Sequence, residues 1–387
     1  MLISIAFMLM LGMFLGWVCR KLRLPGLMGM IFTGVLLGPY ALNLIDGSIL
    51  NISSELRRIA LIIILMRAGL SLDLNDLKKV GRPAVLMCFL PACFEILGMV
   101  LLAPRLLGIS VLDAAIMGAV VGAVSPAVIV PKMLKLIEDG YGTDKGIPQL
   151  LLAGASVDDV FVIVMFTAFT GLAQGGSVSP ISFVKIPVSI LIGSFIGLAV
   201  YFKRVHIRDT VKVIILLCVS FILVTLEDRY SDIVPFSSLI SVMGIGIALQ
   251  KKREEAARRL SVKFNKVWVC AEIMLFVLVG ATVNIHYALS AGVWAVILIF
   301  GVLVFRMAGV FCCLAGTRLN MKERVFCMIG YMPKATVQAA IGGVPLAMGL
   351  ACGDIVLTVA GLAILITAPL GAFLIDLTYK RFLHERL

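Results

Sequence analysis

Asp158 and Asp159 are neighbours in the stretch Leu150–Gly171, LLLAGASVDDVFVIVMFTAFTG, which holds no other charge. An ionisable side chain at bilayer depth costs about 2.5–3.5 kcal/mol on insertion scales, and adjacent like charges repel, so this pair needs a cation or a proton. Carboxylate oxygens are hard ligands that suit a small hard cation such as Na⁺ or Li⁺, and desolvation favours the neutral, protonated carboxyl. One site can therefore hold either ion, and that competition would couple them. Successive residues on a helix project about 100° apart, so the two carboxylates cannot face one point equally and should play unequal roles.

Further chemistry-bearing residues stand in other apolar runs. The segment VVGAVSPAVIVPK carries Ser125, Pro126 and Pro131, and GYMPKATVQAAIGGVP carries Pro333, Lys334, Thr336, Gln338, the Gly342–Gly343 pair and Pro345. Such interruptions free backbone groups that hydrocarbon cannot satisfy, and they are tolerated where they line a polar cavity. Two broken helices are a pointer to a transporter site, with half-helix ends partly neutralised by nearby charges, here Lys334 and the Asp pair. Glu95 and Arg306 are lone opposite charges in two further apolar runs, and we expect them to pair.

These residues need a membrane scaffold, and the composition supplies one. Hydrophobic residues make up 61% of the 387 and charged residues only 14%, with a mean hydropathy of +1.10, against about a quarter charged in soluble domains. The chain reads as an all-α polytopic membrane protein. Windows of about 20 apolar residues give about thirteen spans, at 2–18, 25–44, 57–72, 83–103, 111–133, 148–171, 181–202, 211–226, 234–250, 267–285, 289–315, 325–348 and 355–379. With the N-terminus outside and the C-terminus inside, the cations gather on the cytoplasmic side, most densely in the loop KKREEAARRLSVKFNK. Only Arg57, Arg58, Arg105 and Arg229 fall in outside loops, and Arg67, Lys185, Arg306 and Lys334 fall within spans. The net charge of +12 is then explained by loops beside anionic lipid, with no call for a nucleic-acid partner.

The spans at 111–133 and 325–348 are seven apart, so they run in opposite directions. That is the pattern of an inverted-topology repeat with two crossing broken helices, and span 181–202 joins its halves. The first run lacks a basic leader region and is read as retained. The loops are short, without a nucleotide-binding motif, and suggest no attached soluble domain and no cofactor. Nine cysteines without CxxC or metal spacing are read as small core-facing or lipid-facing side chains. His206, His286 and His384 lie in loops or the tail and are read as solvated.

The strings ASVDDV, AVSPAVIVP and PKATVQAAIG, with RLPGLMGMIFTGVLLGP and RAGLSLDL, resemble the monovalent cation:proton antiporter superfamily, in particular its NHA-type sodium/proton exchangers. The likeness extends over nearly the whole chain. It implies a homodimer with a dimerisation scaffold from spans within 1–72 and 211–285, a mobile ion-transport core within 83–171 and 289–379, and a linker helix at 181–202. It also implies that Asp159 is the more direct cation ligand, that Asp158 is a proton-titrating partner able to pair with a basic residue, and that the unwound Ser125–Pro126 backbone lies alongside. A Glu–Arg pair like Glu95–Arg306 resembles that of the electroneutral branches, whereas an Asp–Asp pair resembles the electrogenic ones, so the chain mixes two signatures.

The function expected is secondary active exchange of Na⁺ or Li⁺ for H⁺ by alternating access in a cell membrane, with a compact chain that fits a bacterial inner membrane. A K⁺/H⁺ antiporter or a cation channel could use the same carboxylates. A sodium-coupled organic-anion symporter of related fold would need a roomier crossover than one of mostly Ala, Gly and Val. No nucleophile–base set accompanies the Asp pair, which argues against an enzyme.

Overall fold

A computed structural model describes residues 1–22, 24–71, 81–175, 188–189, 191–197, 208–230, 236–282 and 285–385. The expected linker helix at 181–202 therefore lies largely outside the described residues. In chain order the helices are α1 (Leu2–Lys21), α2 (Gly26–Leu37), α3 (Gly47–Asn51), α4 (Ser53–Ser71), α5 (Arg82–Met87), α6 (Leu90–Leu107), α7 (Val111–Val121), α8 (Pro126–Glu138), α9 (Ile147–Ala173), α10 (Asp209–Tyr230), α11 (Ser238–Lys252), α12 (Glu254–Thr282), α13 (Ile285–Cys313), α14 (Met321–Gly330), α15 (Thr336–Ile341), α16 (Val344–Ala347) and α17 (Gly353–Phe382). Among the described residues, extended pairing is limited to one isolated bridge, Tyr141 with Glu385. Eight helical stretches there are long and apolar enough to cross a membrane, while α2 and the α15–α16 pair are shorter apolar helices.

Prolines explain where the elements depart from the expected spans. The run expected at 25–44 stays helical only to Leu37, because Gly38 is extended at φ −70°, ψ 173° before Pro39; a residue preceding proline is pushed out of the helical region. The single span expected at 83–103 is two helices, with Pro91 in the first turn of α6, where its missing N–H costs no intrahelical bond. Pro131, expected to interrupt its span, instead lies inside α8, whose buried face is Val128, Ile129, Met133 and Leu136. Only one helical bond is lost there, and the packing of that face carries the helix through. Pro345 likewise opens α16 rather than breaking a helix.

Close packing divides the chain into two compact units, one of Met1–Arg57, Asp76–Ala173 and Ile273–Leu387, the other of Arg58–Asn75 and Gln174–Glu272. In the first unit α6 and α13 form the most extensive helix pair, with Gly98 against Phe305 and Gly309 against Pro91 and Phe94. Between those contacts Glu95 and Arg306 are set on facing helices. Small residues also let α2 meet the end of α12: a Cβ on Gly34 would lie 1.9 Å from the Val277 carbonyl oxygen, so only glycine fits. In the second unit α10 packs on α11, and Gly69 meets the Met243 carbonyl.

Two polar devices set α14 in place. Asn320 caps it by accepting from the Glu323 N–H at 2.9 Å, and Glu323 accepts from the Asn320 N–H at 2.7 Å, a reciprocal capping box. Lys145, just before α9, donates to the same glutamate at 2.7 Å, tying the start of α14 to that of α9. Arg57, expected in an outside loop, is buried in α4. Its Nε donates to the Ser53 carbonyl and its guanidinium lies flat on Gly343. A positive charge four residues into a helix can thus leave solvent when a glycine elsewhere makes room for its plane.

Candidate functional site

Two helix breaks and the middle of α9 converge in the first unit. The first break, Gly122–Ser125, separates α7 from α8, and the second, Tyr331–Ala335, separates α14 from α15. They meet directly, since the Ser125 N–H donates to the Pro333 carbonyl at 2.8 Å. Pro126 opens α8. It therefore needs no N–H partner, while the residue before it is held extended.

Helix ends leave carbonyls without intrahelical partners, and here side chains from other elements take them. Gln338 of α15 donates from Nε2 to the Val121 carbonyl at 3.1 Å and the Ala123 carbonyl at 2.7 Å. Arg306 donates from Nη1 to the Gly122 carbonyl and from Nε to the Tyr331 carbonyl at 2.7 Å, so one guanidinium serves both breaks. Tyr331 stacks near it, with its ring centroid 5.1 Å from Cζ. The Tyr331 hydroxyl donates at 3.0 Å to the carbonyl of Met87, the group that Pro91 cannot engage from four residues on.

Arg306 also connects the carboxylates. Its Nη1 meets Glu95 Oε2 at 2.6 Å and its Nη2 meets Asp158 Oδ2 at 3.0 Å. Asp158 Oδ2 further accepts from the Val124 N–H at 2.8 Å. Lys334 stands in the second break, with its Nζ on Glu95 Oε2 at 2.5 Å and its backbone N–H on Thr367 Oγ1 at 2.9 Å. Glu95, Asp158, Asp159, Arg306 and Lys334 are all buried. Asp159 has no ion pair among the described residues, and its Oδ1 is buried without a hydrogen-bond partner. The same holds for Asp158 Oδ1, Ser125 Oγ, Thr336 Oγ1 and Gln338 Oε1.

The structure thus brings Glu95 and Arg306 together and gives Asp158 a basic partner. That partner is Arg306; Lys334, expected to balance the Asp pair, is taken by Glu95. Ser125 and Thr336 contribute hydroxyls from either break, and Pro126 and Pro333 shape the breaks. Sequence reading did not assign site roles to Gln338, Tyr331 or Thr367. Gln338 and Tyr331 carried a usable signal, because a polar side chain inside a span must find partners, whereas Thr367 bonds its own helix as well, through the Ala363 carbonyl.

Three carboxylates against two cations leave one negative charge uncompensated when all are ionised. The arrangement can accept one monovalent cation or one proton, and the unpartnered buried oxygens are the hard donors such a cation prefers.

Comparison with known proteins agrees with this chemistry. Residues 5–379 match the family described as "Sodium/hydrogen exchanger, transmembrane". Sodium/hydrogen exchanger 9B2 of Mus musculus is 36% identical over 384 residues, covering 94% of this chain and 69% of that protein. Its Homo sapiens counterpart is 33% identical, covering 94% and 70%. The solved sodium proton antiporter MjNhaP1 of Methanocaldococcus jannaschii at pH 8 superposes with a TM-score of 0.85 over 98% of this chain and 97% of its own, at 20% identity, a likeness of fold.

Proposed function

The chain belongs to the transmembrane sodium/hydrogen exchanger family, and we propose on that premise that its exchange of Na⁺ for H⁺ runs through competition for one carboxylate, Asp159. The observation that carries this reading is the charge balance of the buried cluster. Asp158 is engaged by Arg306 and the Val124 N–H, and Glu95 is engaged by Arg306 and Lys334. Asp159 is left as the anion with no resident countercharge among the described residues.

In this scheme Na⁺ binds the Asp159 carboxylate as the carboxyl proton leaves, and on the other side of the membrane a proton returns as Na⁺ departs. Asp158 acts as a fixed anion that raises the local negative potential, with Ser125 and Thr336 as neutral oxygens beside it. Either occupant neutralises the site, which lowers the cost of moving it through a low-dielectric region; an empty, charged site stays put. That difference enforces exchange over leak.

All five charged members come from the expected core within 83–171 and 289–379, which supports a core that alternates access against a dimerising scaffold within 1–72 and 211–285. The protein works as a multi-pass protein in a lipid bilayer. The finer setting we assign, a homodimer in a bacterial inner membrane, rests on the resemblance and the short loops. The scheme uses no cofactor or nucleotide.

The test is dequenching of a pH-gradient dye in proteoliposomes on addition of Na⁺, Li⁺ or K⁺, for wild type, Asp159→Asn and Asp158→Asn. Dissipation by Na⁺ or Li⁺ in the wild type and its loss in Asp159→Asn support the scheme. Retained exchange in Asp159→Asn overturns it, and a response to K⁺ alone would redirect the site to that ion.

A further inference from the structure

The side-chain oxygen of Gln338 is not used by the scheme above. Gln338 is 1% exposed, and both hydrogens of its amide nitrogen are donated to backbone carbonyls, those of Val121 and Ala123. Carbonyls cannot donate, so the amide can face them only with its nitrogen; turning it over would set oxygen against oxygen. Its Oε1 is therefore held in one orientation as a buried acceptor, and among the described residues it has no hydrogen-bond partner.

A fixed, desolvated, unpartnered acceptor in a native fold calls for an explanation. The neighbourhood gives one. Gln338 grips Val121 at the end of α7 and Ala123 in the first break, and the next residue, Val124, holds Asp158 through its N–H. Ser125 Oγ follows in the chain, and Thr336 Oγ1 precedes Gln338 by two residues; among the described residues both are buried and unpartnered, as are Asp158 Oδ1 and Asp159 Oδ1. Both interrupted helices and α9 thus contribute oxygens that the protein leaves open.

We propose that Gln338 Oε1 is a specificity-determining ligand for the transported cation, acting in its inner shell or through one water. This rests on the reading of Asp159 as the exchange site. The amide oxygen is neutral, so it leaves the net charge of the site and the number of competing protons unchanged. What it adds is a dipole at a set position, held by the hydrogen bonds on the opposite face of the same amide. An oxygen fixed in position in this way discriminates by ionic radius, so Gln338 selects among alkali cations while the carboxylate selects charge.

The experiment uses the full chain, with ²²Na⁺ binding in detergent at alkaline pH and exchange KM for Na⁺, Li⁺ and K⁺ in proteoliposomes. The variants are Gln338→Met, which keeps the volume and removes the amide, Gln338→Asn, which draws the oxygen back by one methylene, and Asp159→Asn. Loss of a hydrogen-bond-like contact to a charge predicts Na⁺ binding weakened about tenfold or more in Gln338→Met. The ratio of Li⁺ to Na⁺ KM should shift by about threefold or more, and the dependence of KM on pH should keep its wild-type slope.

If turnover falls but the cation ratios and Na⁺ binding stay at wild-type values, Gln338 serves only to cap the break and the proposal is wrong. It is equally wrong if the pH slope changes while the ratios hold, for the oxygen would then be a partner of the proton. Should Gln338→Met aggregate, Gln338→Asn is read by the same criteria. Undiminished ²²Na⁺ binding in Asp159→Asn would instead remove the exchange-site reading, an outcome independent of either Gln338 variant.

Discussion

Glu95 Oε2 receives Arg306 at 2.6 Å and Lys334 at 2.5 Å, so a single carboxylate holds two buried cations. Removing one partner of a buried ion pair typically costs about 3–5 kcal/mol, and Glu95→Gln leaves Lys334 without the anion it is paired with while Arg306 keeps Asp158. We expect a clear fall in the melting temperature of that variant in detergent, whatever its transport rate; an unchanged value would mean the pairs contribute little. Asp159 is the opposite case. It stands beside another anion and, among the described residues, is paired with no cation, so Asp159→Asn relieves repulsion without stranding a charge. Its melting temperature should equal or exceed that of wild type while Na⁺-driven proton movement disappears, and a large loss of stability would assign it a structural role instead. The sequence made each of these charges visible as an isolated polar group in an apolar run. It could not choose between Asp158 and Glu95 as the partner of Lys334, because a run of apolar residues records that a charge needs a partner and not which anion the fold delivers.

The elements that deliver them are governed by prolines and glycines whose effect depends on position. Pro126 and Pro333 fall at the breaks, Pro91 opens a helix, and Pro131 is carried inside one. The residue types are identical, so pattern alone located the broken helices but not their ends. The buried Arg57 was illegible for a related reason: its place depends on Gly343, far away in the chain. A Cβ at Gly343 would sit 2.5 Å from Arg57 Nη1 and 2.7 Å from Cζ, so the guanidinium occupies the space a side chain would need at the α15–α16 junction. Gly343→Ala should therefore displace the arginine, lower thermal stability and slow exchange. Arg57→Ala empties that space, so the double variant should recover part of the loss, with a coupling of about 0.5–3 kcal/mol, as for residues in contact. Strictly additive losses in unfolding measurements would show that the contact does not bear on α15.

At the scale of the whole molecule, the all-helical membrane architecture and the two interrupted helices were readable from hydropathy and proline positions, because both are set by the solvent the chain must satisfy. The meeting of the breaks through Ser125 and Pro333 was not readable, since it is a long-range register. It is this meeting that brings Arg306 to both breaks at once and leaves the cluster one charge short of neutrality. That shortfall predicts a stoichiometry. A second proton per cycle would have to come from Asp158 or Lys334, and each is held in an ion pair within the cluster, so one H⁺ should leave for each Na⁺ that binds. Where proton release accompanies cation binding, apparent affinity follows pH. On the acid side of the site's titration, KM for Na⁺ should rise about tenfold for each unit of falling pH with one competing proton, and about a hundredfold with two. Exchange of one charge for one is also indifferent to membrane potential, so clamping the voltage with valinomycin and K⁺ should leave the initial rate unchanged. A slope near two, together with acceleration by an imposed potential, would mean that the Arg306–Asp158 or Lys334–Glu95 pair opens during the cycle and releases a proton of its own.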